Sequence, residues 1–321
     1  VDRRDTASVT TTINQNTITG SAAGLDGIGY RATGSAGVSP LSLAITNNAI
    51  SKGHVTIDTL ADARVVANVT GNTISGASDS GIRITSLNSS AVGVGDPNNP
   101  ALGTVTPTVL DGNVISTSGT VNPDAGIRLV AQDNALQNIQ ITGTSRRTVL
   151  TDNRNGSSIN NTRTSAVGTQ SPGTYVMQGT DIVNSVTDGI NLALTRPTYF
   201  LIGSPPGGPT NVTVGGPGAG QNVTISRTNN IQGGNDGVNA ALVGNSHTLT
   251  IQNTTITDTG VDGIAVNMTN ATGTTVNVLN DTITRSGGDG LHFVQLAGQV
   301  AVNVRGTAST FTAGPGLDIF L

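Results

Sequence analysis

An all-β chain, wound as a right-handed parallel β-helix of about ten coils with no significant helix, is the fold class this sequence predicts. Three observations carry that expectation. A unit recurs near the C-terminus: Thr255-Ile256-Thr257 leads to Asp262-Gly263-Ile264, Thr282-Ile283-Thr284 to Asp289-Gly290-Leu291, and Thr310-Phe311-Thr312 to Gly316-Leu317, so Gly263, Gly290 and Gly316 step by 27 and then 26 residues. Each unit holds two or three segments of about four to six residues that alternate apolar with polar, the period of a strand. The composition lacks the makings of amphipathic helices: glutamate is absent and lysine occurs once, at Lys52, while glycine occurs 43 times.

Earlier copies of the unit follow in order. Asn16-Thr17-Ile18-Thr19 leads to Asp26-Gly27-Ile28, and a degenerate copy runs from Asn48-Ala49-Ile50-Ser51 to Gly53-His54-Val55-Thr56-Ile57. Asn72-Thr73-Ile74-Ser75 precedes Ser80-Gly81-Ile82, and Asn113-Val114-Ile115-Ser116 precedes Ala125-Gly126-Ile127. Asp181-Ile182 precedes Asp188-Gly189-Ile190, and Asn230-Ile231 precedes Asp236-Gly237-Val238. In the late coils the alternation sends Val276, Val278, Ile283, Leu291 and Phe293 inward and Thr275, Asn277, Thr282, Thr284 and His292 outward. Asp-Gly and Asn-rich corners supply the backbone conformations of tight turns. Coils stacked at about 4.8 Å make a rod on the order of 50 Å long. Aromatic residues are only 2% of the chain, as suits a narrow interior filled by Ile, Val, Leu and Ala.

The expected organisation is one continuous rod over 1–321, with irregular insertions near 86–107, 143–174 and 195–220. The chain opens on the polar Val1-Asp2-Arg3-Arg4-Asp5 and closes on Leu317-Asp318-Ile319-Phe320-Leu321. That reads as a segment of a longer solenoid whose last strand stops within a coil. Uncapped ends would present unpaired strand edges, so self-association through them is an expected partner interaction. The net charge is -4, which argues against a nucleic-acid partner, since that calls for a basic stripe. No apolar run approaches the roughly 18 residues of a membrane span. Cysteine is absent, which fits an extracellular or cell-surface bacterial protein that crosses membranes unfolded.

The unit Asn-x-Ile…Gly-Ile-x-Leu, as in Asn113-Val114-Ile115 with Gly126-Ile127-Arg128-Leu129, resembles the parallel β-helix repeats of the pectin-lyase-like superfamily. It also resembles the adhesin and autotransporter-passenger regions of large bacterial surface proteins. The resemblance covers nearly the whole chain. It implies a fold more sharply than an activity, because the superfamily holds polysaccharide lyases, glycoside hydrolases, tailspikes and structural surface proteins. The Asn-Thr-Asp, Asp-Asp, Gly-His-Gly and Arg-Ile-Lys motifs that polygalacturonases of this fold share do not occur. Pectate lyases of the fold use Asp-bound Ca²⁺ with an Arg or Lys base. By that resemblance Asp79, Arg83, Asp124 and Arg128 are the first catalytic suspects. The simpler reading of the repeated Gly-Ile-Arg is an outward ion-pair ladder.

Asp26, Asp188, Asp236, Asp262 and Asp289 each precede Gly. Stacked corners would align them, and two carboxylates at about 5–9 Å can hydrolyse a glycosidic bond. Asp236, Asp262 and Asp289 are the metal-ligating set to weigh. Ca²⁺ is the ion considered, although turn chemistry alone accounts for Asp-Gly and no cofactor is expected. Thr255, Thr257, Thr282 and Thr284 belong to a Thr-x-Thr array that resembles ice-binding solenoids. Strand propensity on an exposed face gives the same pattern. Arg146 and Arg147, with Arg154 and Arg163, cluster in the 143–174 insertion as a candidate binding surface, and surface glycans are an expected partner class. His54 and His292 fall at outward, solvated positions. Missing Trp removes the usual platform for stacking sugars. The leading functional expectation is a non-enzymatic structural or adhesive segment of a bacterial surface protein or extracellular fibre. A polysaccharide-active enzyme and an ice-binding solenoid are the alternatives.

Overall fold

The computed structural model describes residues 2–4, 10–20, 26–34, 40–88, 90–93, 106–117, 125–133, 135–162, 173–195, 210–215, 223–226, 236–244, 247–305, 311–312 and 317–320. The chain is a right-handed parallel β-helix, and the described residues include no helix. Three parallel sheets run its length. The first has eleven strands, from Asp2–Arg4 through Asp26–Gly34, His54–Ala61 and Ser80–Ser86 to Leu291–Gln295 and Leu317–Phe320. The second starts at Thr10–Asn14 and ends at Val300–Arg305; the third, with ten strands, starts at Thr17–Thr19 and ends at Phe311–Thr312. Every strand pairs with its counterpart one coil away, so the backbone hydrogen bonds run along the rod axis.

The interior is a set of side-chain stacks fixed by that register. In the third sheet Ile50, Ile74, Ile115, Leu150, Ile182, Ile225, Ile256 and Ile283 face one another in unbroken succession. All eight are buried, and each burial contributes about 1.5–3 kcal/mol. Val276, Val278, Leu291 and Phe293 also point inward, as their alternation requires. The narrow interior also accepts rings, since Tyr30, Tyr175 and Phe293 are fully buried. It also accepts polar networks. Tyr175 donates to Gln137 Oε1 at 3.1 Å, Asn161 donates to Tyr175 Oη at 3.3 Å, and Gln137 donates to the Val130 carbonyl at 2.9 Å.

Left-handed residues recur at the corners; on leaving the first sheet they include Ala61, Asn88, Asp133 and Asn270. Gln15, Asn47, Gly71, Gly112, Gly179, Asn253 and Asn280 hold φ between 49° and 68° on leaving the second sheet. Lys52, Gly76, Asp152, Asn184, Asp258 and Arg285 do the same on leaving the third. Asn and Gly suit these positions because they tolerate the left-handed well. The Asp-Gly corners work differently from the sequence expectation. Gly237 and Gly263 do not have a positive φ; they are glycines because neighbours crowd them. A Cβ at Gly237 would lie 2.5 Å from both Ile256 Cγ2 and the Gly263 carbonyl oxygen.

The expected insertions contain regular rungs. Thr148–Thr151 and Asn155–Thr162 lie inside 143–174, Ala91–Val92 inside 86–107, and Thr210–Val214 inside 195–220. They escape notice in the sequence because Asn155-Gly156-Ser157 and their like replace Asp-Gly-Ile. The remaining residues of those stretches lie largely outside the described part of the chain. No helix among the described residues is long and apolar enough to cross a membrane.

Candidate functional site

The first sheet positions the Asp column. Ile190, Val238, Ile264 and Leu291 are in register on successive coils, so Asp188, Asp236, Asp262 and Asp289, two residues earlier, stack along the same edge. The first three carboxylates are pinned by the next coil: the backbone N–H of Asp236 donates to Asp188 Oδ1 at 3.2 Å, that of Asp262 to Asp236 Oδ1 at 2.8 Å, and that of Asp289 to Asp262 Oδ1 at 2.7 Å. Asp188, Asp236 and Asp262 are buried. Burial is the main cause that pushes the Asp236 carboxyl up to about 6, with the negative charges of Asp188 and Asp262 adding to it. Burial also raises Asp188, against the hydrogen bonds it accepts from Asn191, Asp236 and Asn239.

The outward row beside this column decides what each carboxylate meets. Asn191 and Asn239 donate to Asp188 Oδ2 at 2.9 and 3.3 Å. In register with them follow Ala265 and His292. His292 Nδ1 lies 3.2 Å from Asp262 Oδ2 and 3.7 Å from Asp289 Oδ2. Read as a solvated surface group, His292 is instead the side chain that joins two coils. Its spacing, three residues after Asp289, is the signal that could have found it. Asp26 stands apart from the column and pairs with His54 Nε2 at 2.7 Å. His54 is buried, not solvated as expected, and the strand it pairs with, Asp26–Gly34, carries a register irregularity between Asp26 and Ile28.

Of the four catalytic suspects, three come together. Arg83 and Arg128 are in-register neighbours. Arg83 Nη1 donates to Asp79 Oδ2 at 2.9 Å, and Arg128 Nη1 lies 3.9 Å from Asp79 Oδ1. Asp124 lies outside the described residues. Arg146 and Arg147 are engaged along the rod. Arg146 donates to the carbonyls of Gly112, Gly71 and Asn72, the last two at 3.0 and 3.3 Å. Arg147 forms a two-pronged pair with Asp181, both contacts at 2.7 Å. Its hydrogen bond to Asp181 raises its pKa above the ordinary arginine value. Arg163 is not among the described residues. Thr255 and Thr257 are in register with Thr282 and Thr284, and all four are half-buried.

A second buried column went unread. The Asn that opens the early repeats is a structural ladder, not merely a turn residue. Asn16, Asn48 and Asn72 each donate through Nδ2 to the Oδ1 of the next Asn in the series 16, 48, 72, 113, at 3.0–3.1 Å. Asn48, Asn72 and Asn113 also donate to the carbonyls of Ile13, Ile45 and Val69 in the coil behind. The recurrence of Asn two residues before Ile was the available signal. Register carries this column to Asp281, whose Oδ1 accepts the Thr254 N–H at 2.7 Å. Its buried Oδ2 has no hydrogen-bond partner among the described residues. Burial pushes Asp281 up to about 6, against hydrogen bonds from the backbone of Thr254 and Leu279 and from the Thr254 side chain.

Set against protein-family models, curated proteins and solved structures, the chain has no match in any of the three comparisons.

Proposed function

We propose that this chain is a non-enzymatic structural or adhesive β-solenoid, a rod-forming segment of a bacterial surface protein or extracellular fibre. The proposal includes its likeness to the β-helical passengers and adhesins of such proteins. The observation that supports it is the direction in which outward polar side chains are used. Arg147 with Asp181, Arg285 with Asp258, Asn277 with Thr250 and Asn303 with Asn277 all link neighbouring coils. Such ladders serve stiffness and spacing, the qualities of a rod. Glycans of a neighbouring surface are the partner class this reading names.

One observation favours a polysaccharide-active alternative, the convergence of Arg83, Asp79 and Arg128. Incubation with a panel of polyuronates and neutral polysaccharides separates the two readings. The structural reading expects no chain cleavage. Cleavage that disappears in Arg83→Ala would replace it with the enzymatic one.

A further inference from the structure

We infer that Asp262, Asp289 and His292 form a binding site for a divalent first-row transition-metal ion, for which Zn²⁺ is the working probe. The donor set is one imidazole nitrogen and two carboxylates drawn from two consecutive coils, and the three ligand atoms lie within 4.8 Å of one another. An ion with bonds of about 2.1 Å in a tetrahedral shell needs ligand atoms about 3.4 Å apart. The 3.2 and 3.7 Å from His292 Nδ1 to Asp262 Oδ2 and Asp289 Oδ2 bracket that edge. Three protein ligands leave a further position for water.

The carboxylate of Asp262 is already aimed. Its Oδ1 is held by the Asp289 N–H at 2.7 Å, which leaves Oδ2 on the imidazole side. Asp236 extends the support one coil back by accepting the Asp262 N–H. Orientation of first ligands by fixed outer hydrogen bonds is what tightens metal sites. The same column supplies an internal contrast. Around Asp188 the outward row offers the amides of Asn191 and Asn239, donors that satisfy a carboxylate without an ion. Two coils on, that row offers Ala265 and then an imidazole, which can bind a metal as an acceptor. Imidazole selects a transition metal over Ca²⁺, which takes oxygen ligands. His292 is about one-third exposed (35%), so an ion reaches the site from solvent. Bound there, it clips two coils together and offsets the repulsion between their stacked carboxylates. The inference does not depend on the structural or adhesive role, since a clip serves an enzyme equally.

The test is calorimetric titration of the EDTA-stripped whole chain with ZnCl₂, beside histidine-resolved NMR of the same protein. The sequence has three histidines, so the signals are few. The expected result is one Zn²⁺ per chain, at least tenfold weaker binding in His292→Ala and in Asp262→Asn, and a Zn²⁺-dependent shift confined to His292. Millimolar CaCl₂ should leave the bound Zn²⁺ in place. Absence of stoichiometric binding, unchanged affinity in His292→Ala, or a shift at His54 or His247 instead would overturn the site. Displacement by Ca²⁺ would overturn the choice of metal. Should the variants fail to fold, the wild-type NMR shift decides alone.

Discussion

Replacing Asp281 by Asn should stabilise the rod at neutral pH. Asp281 stands in the corner column that Asn16, Asn48, Asn72 and Asn113 occupy elsewhere, with one oxygen on the Thr254 N–H and the other buried without a partner among the described residues. The carboxyl rises from 3.8 to about 6 because burial disfavours its charge. The folded chain therefore binds this proton more tightly than the unfolded chain does. The sign follows: Asp281 costs nothing below pH 3.8, its cost grows as the pH rises towards 6, and it is fully present above that. At about 1.4 kcal/mol for each tenfold change in proton affinity, the full cost is about 3 kcal/mol. Asparagine keeps the acceptor for Thr254 and adds an N–H₂. Register places the Ile251 carbonyl where Ile13, Ile45 and Val69 receive that group in the early coils. Guanidinium unfolding of both proteins at pH 7.5 and pH 4 measures the difference. The expected gain for Asp281→Asn is about 2–3 kcal/mol at pH 7.5 and much less at pH 4. A variant no more stable than wild type at pH 7.5, or a gain equal at both pH values, would refute the burial argument.

Gly237→Ala forces a methyl group against Ile256 and the Gly263 carbonyl and should cost about 1–3 kcal/mol, seen as a lower melting temperature. Asn72→Leu removes two donated hydrogen bonds and leaves the buried Asn48 N–H without its acceptor; limited proteolysis should open the early coils, after a loss of about 3 kcal/mol. Ile283→Asp puts a lone charge inside the late coils and should abolish their protease resistance, whereas unchanged resistance would contradict the inward assignment. Arg147→Ala breaks an ion pair whose side chains are each about one-third exposed (34% and 30%); the loss should stay below about 1 kcal/mol and shrink further in high salt.

The period of the glycines and the alternation of Thr-Ile-Thr made the coil legible, and residues such as Ile283, Val276 and Phe293 lie where that alternation puts them. The glycine of Asp-Gly-Ile reads as a turn former, because local sequence does not show that Ile256 of another strand occupies the space beside Gly237. The burial of His54 is illegible for a related reason: it depends on the neighbouring coil, whose strand brings Asp26 against the imidazole. Asp79 and Arg128, or His292 and Asp262, meet only once the coils are in register. Periodicity predicts that neighbours exist across coils but not which side chains reach them. The Asn of each repeat was visible as a pattern, yet its role depended on carbonyls such as that of Ile45, contributed by the coil behind.

The structural role is most directly tested by electron microscopy of the native material, taken from its source cells without overexpression and labelled with an antibody to this chain. The account predicts label on rods or filaments at the cell surface. Label confined to the cell interior, on particles with no elongated form, would contradict it.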